Sequence, residues 1–178
     1  MVKTIAFVYK GDIYTVPATG GDAVALTANT AHDYLPVWSH NGDYIAFASN
    51  RYGNMDVYIV PSKGGKPKRL TFHSTDELPY AFTADDKYVL FGAARFDMAS
   101  SRLYPTPSQP ELYSVPVNGG IVEQVIPVPA EGGSVSKDGK FIAFHDKKVE
   151  RMSSGKIINH KLPAIYGFTT LKTKSTSN

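Results

Sequence analysis

Four carboxylates, Asp33, Asp76, Glu77 and Glu131, and five histidines, His32, His40, His73, His145 and His160, carry most of the chain's capacity for chemistry. Two carboxylates facing each other across a channel could hydrolyse a glycoside, but their separation decides that mechanism and chain spacing does not fix it. His32 and His73 both precede an acidic residue, yet they fall in different repeats, and a metal needs ligands that converge at short range. Ser134 and Ser136 follow Gly132-Gly133, but no Gly-x-Ser-x-Gly elbow is present to expose a nucleophile. Asp12, Asp56 and Glu111 open equivalent segments, which points to a repeated structural role such as hydrogen bonding to a nearby loop. No catalytic residue, metal site or cofactor is therefore expected.

The elements that must position these side chains are repeats. Asp12-Ile13-Tyr14-Thr15-Val16-Pro17, Asp56-Val57-Tyr58-Ile59-Val60-Pro61 and Glu111-Leu112-Tyr113-Ser114-Val115-Pro116 share one pattern, and each runs on to a double glycine. A second marker recurs at Ile5-Ala6-Phe7, Ile45-Ala46-Phe47, Val89-Leu90-Phe91 and Ile142-Ala143-Phe144. Asp12 and Asp56 lie 44 residues apart, as do Phe47 and Phe91. Periods of ~40–50 residues are those of propeller blades. Within one unit, Leu35–Ser39, Asp43–Ser49, Met55–Val60 and Pro67–Thr71 read as four strands, by β-branched and aromatic enrichment punctuated with Gly, Asn and Asp. The fold expected is all-β: a partial β-propeller with two complete four-stranded blades flanked by two incomplete ones. The blades cover about 3–30, 35–71, 78–126 and 132–146. Trp38, Phe82 and Val135 hold equivalent inner positions and read as core. Propellers close with about four to eight blades, so the chain reads as part of a longer protein whose open blade edges could self-associate.

Binding residues concentrate on loops carried by a rigid scaffold. The loops joining strand four to strand one, and strand two to strand three, lie at one end of a blade. That rim collects Asp33, Tyr34, Asp76 and Glu77 together with a long insertion from Arg95 and Phe96 to Pro110. An acidic, aromatic rim favours basic or amine-bearing peptides, in a salt-dependent way.

Composition excludes several alternatives. The chain of 178 residues has no cysteine, so disulfides and thiolate metal sites are ruled out. Neither a membrane-length apolar run nor a signal-peptide pattern occurs. Residues 1–146 hold 12 basic and 15 acidic side chains, whereas 147–178 hold 7 basic and 1 acidic. The tail lacks the dense Lys/Arg clusters of nucleic-acid or membrane arms, and neither partner is expected.

The unit Trp38-Ser39-His40-Asn41-Gly42-Asp43-Tyr44-Ile45-Ala46-Phe47, followed by Asp56-Val57-Tyr58 and Arg69-Leu70-Thr71, resembles the TolB-like propeller repeat. The blade order and the long third-unit insertion resemble the N-terminal propeller of bacterial tricorn-type serine peptidases. The resemblance implies a non-catalytic propeller, residues 1–148, that gates or docks polypeptide for a C-terminal peptidase domain absent from this chain. The parent would be a serine peptidase, exported or periplasmic, with a cytoplasmic setting as the alternative. A stand-alone module binding a protein or glycan is the alternative function, and a propeller glycosidase a third. The family's Pro-Asp-Gly turn is here His40-Asn41-Gly42, Ala84-Asp85-Asp86 and Lys137-Asp138-Gly139, of which Asp85-Asp86 is the least comfortable.

Residues 149–178 break the pattern, because a fourth Asp-Ile-Tyr strand is due after Phe144. When the third base of each codon is joined to the first two of the next, Pro163–Thr170 can encode Arg-Asp-Ile-Trp-Val-Tyr-Asp. The tail is thus expected to be a poorly ordered basic segment, read out of frame and without a native partner strand.

Overall fold

The computed structural model describes residues 3–95, 110–126 and 129–146, and the backbone of 166–170. These residues form four antiparallel sheets and no helix. The first sheet holds β1 (Thr4–Tyr9), β2 (Asp12–Pro17) and β3 (Val24–Ala25). The second holds β4 (Asp33–Trp38), β5 (Tyr44–Ser49), β6 (Asp56–Pro61) and β7 (Lys68–Arg69), and the third β8 (Glu77–Phe82), β9 (Tyr88–Ala93), β10 (Glu111–Pro116) and β11 (Glu123–Ile126). The fourth holds β12 (Ala130–Val135), β13 (Phe141–Asp146) and β14 (Tyr166–Thr170). This is the partial propeller expected, with two complete blades between two incomplete ones.

The apolar runs of the central strands follow from their position. A strand covered on both faces has no solvent side to mark with polar residues, and β5 is buried from Ile45 through Ser49. Its two faces still differ. Ile45 and Phe47, with Tyr58 and Val60 of β6, pack on Ile13 of the first blade. Ala46, with Val57 and Ile59, packs on Phe82, Val89, Phe91 and Tyr113 of the third. Each complete blade thus turns its Phe and Tyr towards the preceding blade and smaller side chains towards the next. Leu90 and Leu112 repeat this against Ala130, Ile142 and Phe144 of the fourth blade. Three apolar layers between four sheets make up the core. Trp38 and Val135 are partly buried and pack against it, whereas Phe82 is fully buried within it.

The turns explain the Trp-Ser-His-Asn-Gly motif. The Ser39 hydroxyl donates to Asn41 and accepts from the Tyr44 amide. Thr83 and Ser136 do the same with Asp85 and Tyr88, and with Asp138 and Phe141. Ser136 is therefore a turn residue rather than a nucleophile. The turn needs a positive φ, which Gly42 (76°) and Gly139 (71°) supply, and Asp86 adopts it at 55°. Asp86 tolerates that conformation for a visible gain. Its carboxylate accepts from the backbone amides of His40 and Asn41 at 2.7 and 2.8 Å and meets the His40 ring at 2.9 Å, clamping the second blade to the third. The Leu-Thr motif has its own task. Thr27 and Thr71 each accept the first interior amide of the third-strand segment, Ile13 and Val57, at 2.9 Å.

Two expectations are corrected. The fourth strand of the second blade is only Lys68–Arg69, and its first strand begins at Asp33 rather than Leu35. The tail does find a partner strand, because Tyr166–Thr170 pairs antiparallel with β13. An open sheet edge offers a row of backbone donors and acceptors to any strand-forming segment. The rest of the tail, and Phe96 with most of the insertion, lie outside the described residues.

Candidate functional site at the inner rim

The rim carboxylates divide into two kinds. Asp33 and Glu77 open the inner strands β4 and β8 and are fully buried. Each meets an arginine 18 residues later, just beyond the second strand of its own blade. Arg51 donates to Asp33 at 2.7 Å, and Arg95 holds Glu77 through both Nε and a terminal nitrogen. The Asn29 amide also donates to Asp33, at 2.8 Å. Each guanidinium lies over the aromatic pair of its blade: Arg51 over Phe47 and Tyr58, Arg95 over Phe91 and Tyr113, with centroid distances of 5.0–5.5 Å. Burying a carboxylate without a partner is expensive, so these acids are committed to the framework. The acid-to-arginine spacing of 18, present in both complete blades, was the sequence signal that would have separated them from ligand-binding groups.

The acids that open third strands are structural as well. Asp12 accepts from the Thr27 hydroxyl and the backbone amide of Asn29, Asp56 pairs with Arg69 at 2.8 Å, and Glu111 accepts from Tyr113 and Gln124. Burial pushes the Asp56 carboxyl above its ordinary value, with Arg69 pulling against it. Arg69 is sandwiched between the exposed rings of Tyr52 and Phe72, 4.7 Å from each.

Tyr34, Asp76, Tyr80 and Glu131 remain, and each of the two tyrosines feels the charge of an acid, Asp76 for Tyr34 and Glu131 for Tyr80. Asp76 precedes β8 and stays exposed, accepting from the Met55 amide at 2.9 Å. Burial, then the Asp76 charge, raises the Tyr34 phenol. Tyr80 is pushed up to about 12, by burial first and then by Glu131, against a backbone hydrogen bond from Gly132. Tyr80 sits here because every inner strand bulges. Register shifts fall between Tyr34 and Val37, Pro79 and Ala81, and Glu131 and Ser134. The bulges turn Leu35, Pro36, Pro79, Tyr80, Gly132 and Gly133 into an apolar cleft of about 300 Å³ along the first strands of three neighbouring blades. Leu35 takes φ 54° to do so. Tyr80 was absent from the rim predicted from sequence, because bulged strands hide their inward positions. Among the described residues no group of three or more His, Asp or Glu is placed to hold a metal ion. His73 is held by Thr75.

The profile of the tricorn protease N-terminal β-propeller domain matches residues 2–156. The chain belongs to that family. Curated protein sequences contain no match to it. Among solved structures, this tricorn-type propeller superposes on TolB of Agrobacterium tumefaciens with a TM-score of 0.65 at 23% identity, covering 83% of this chain and 52% of the other. TolB of Acinetobacter baumannii gives 0.64 at 23% identity over 94% of this chain and 41% of that one. The tricorn protease gives 0.59 at 11% identity over 81% and 14%. The chain spans about half or less of each, and the likeness is one of fold.

Proposed function

We infer that this propeller docks polypeptide at its inner rim for a peptidase domain elsewhere in the parent protein. The observation that carries the reading is the apolar, proline-lined cleft, whose lining residues Leu35 and Gly132 adjoin Tyr34 and Glu131 in the chain, with the Asp76 charge acting on Tyr34. Such a site suits an extended segment that presents an apolar side chain beside an amine, either a lysine or a free N-terminus. Pro36, Pro79 and Tyr80 offer rigid contact surface, and the exposed carboxylate of Asp76 sets the sign of the charge it attracts. Asp33, Glu77 and Arg95 support this rim from beneath. The open edges of the first and last sheets take strands from the parent or from a second copy. An exported, periplasmic parent belongs to the same reading, with a cytoplasmic one as its alternative.

Calorimetric titration with short peptides of apolar–lysine and apolar–glutamate sequence tests the site. Weak binding of the lysine series, lost at high salt and reduced several-fold by Asp76→Ala with Glu131→Gln, is expected, with no cleavage of the peptide. Unchanged affinity in that double variant places binding on another face. Cleavage by protein freed of contaminating proteases refutes the non-catalytic role.

A further inference from the structure

The register of β14 bears on the reading frame of the tail. In three blades the second-strand Phe pairs with a third-strand Tyr: Phe7 with Tyr14, Phe47 with Tyr58 and Phe91 with Tyr113. The rings stack in all three, with centroids 5.8, 5.7 and 5.8 Å apart. In the fourth blade the partner of Phe144 is Gly167, which has no side chain to stack.

We propose that the coding sequence is displaced by one base between Asp146 and Pro163, so that the third strand of the fourth blade is written in the neighbouring frame. Joining the third base of each codon to the first two of the next, and numbering each product by its second codon, puts Trp at position 167. The aromatic then falls opposite Phe144, where each other blade stacks one. The same reading puts Asp at 165, two residues earlier, where Asp12, Asp56 and Glu111 stand before Tyr14, Tyr58 and Tyr113. The backbone pairing and the codon arithmetic know nothing of each other, yet they align the same residues. Compositional change begins at the same place, since the excess of basic side chains lies in 147–178.

Function is affected in one respect. The tail's charge is a product of the displaced frame, so it has no history of selection for an anionic partner. The strand that belongs in this position carries an acid and an aromatic that complete the blade's own pattern. Tyr166–Thr170 pairs with the edge of β13 through its backbone, and backbone pairing needs no particular side chains.

The proposal fixes the codons of seven residues. Only CCC for Pro163, GCG for Ala164, ATA for Ile165, TAT for Tyr166, GGG for Gly167, TTT for Phe168 and ACG for Thr169 yield Arg-Asp-Ile-Trp-Val-Tyr-Asp, because every synonym changes the shifted residue. Sequencing the coding DNA across residues 146–170 tests this directly. All seven codons are expected as given. A different third base at any of them breaks the signature and overturns the proposal, leaving the tail as a genuine divergent segment.

Discussion

Arg51→Ala measures how far the buried acid–arginine pairs hold the blades together. The substitution leaves Asp33, whose side chain is fully buried, without its guanidinium. Breaking a buried ion pair from one side costs about 3–5 kcal/mol, because the stranded charge keeps its desolvation penalty. Asn29 still donates to Asp33, which favours the lower end of that range. Removing the guanidinium from over Phe47 and Tyr58 adds about 0.5–1 kcal/mol per ring. The expected total is about 4 kcal/mol, a large share of the ~5–15 kcal/mol that stabilises an ordinary domain. Urea unfolding followed by fluorescence reads this out, since Trp38 is the single tryptophan and packs against the apolar layer between the first two blades. At a slope of about 2 kcal/mol per molar, the midpoint falls by about 2 M. Asp33→Asn added to Arg51→Ala is expected to recover part of the loss, because the stranded charge goes with it. A midpoint change equivalent to less than about 1 kcal/mol, the worth of an exposed pair, or a double variant less stable than Arg51→Ala alone, refutes the reasoning.

Two further outcomes follow from the cleft. A Cβ at Gly92 would lie 2.2 Å from the Tyr80 hydroxyl, so Gly92→Ala is expected to lower stability by about 1–3 kcal/mol. Tyr80→Ala in the same chain relieves the clash, which a pair of melting curves detects. Spectrophotometric titration is expected to show Tyr80 ionising near pH 12, above the ordinary value of a phenol. Folded Tyr80 keeps its proton where the unfolded residue loses it. Its contribution is therefore intact below about pH 10 and declines as pH rises from there towards 12. Loss of that late phase in Tyr80→Phe confirms the assignment.

The blades were legible because a repeat averages over local ambiguity. Phe47 and Phe91, or Tyr58 and Tyr113, mark the same strand positions whatever surrounds them. The rim was only partly legible, and the reason is the two-residue period of a strand. Glu77 points into the blade while its neighbour Asp76 points out, so adjacent acids in one sequence cluster have opposite fates. Asp33 read as a loop residue because the bulge at Leu35-Pro36 interrupts the alternation that would have extended β4 back to it. Arg51 and Arg95 read as loop residues too, and their ion pairs close between separate strands that only the folded blade brings side by side.

Among the described residues, each of the three buried acid–arginine pairs closes within a single blade: Asp33 with Arg51, Asp56 with Arg69 and Glu77 with Arg95. A blade therefore carries no uncompensated charge from these pairs into its neighbours. Duplicating or deleting such a unit leaves their electrostatics balanced, so ring size can change over evolution without a compensating mutation in the adjoining blade. What passes between blades is an apolar face and a set of hydrogen bonds, among them those that Asp86 accepts from the His40 turn, Asp76 from the Met55 amide and the Asn118 carbonyl from Lys68. Lineages can therefore alter the number of blades and the exposed side chains at the inner rim as separate variables, tuning what is held without rebuilding what holds it.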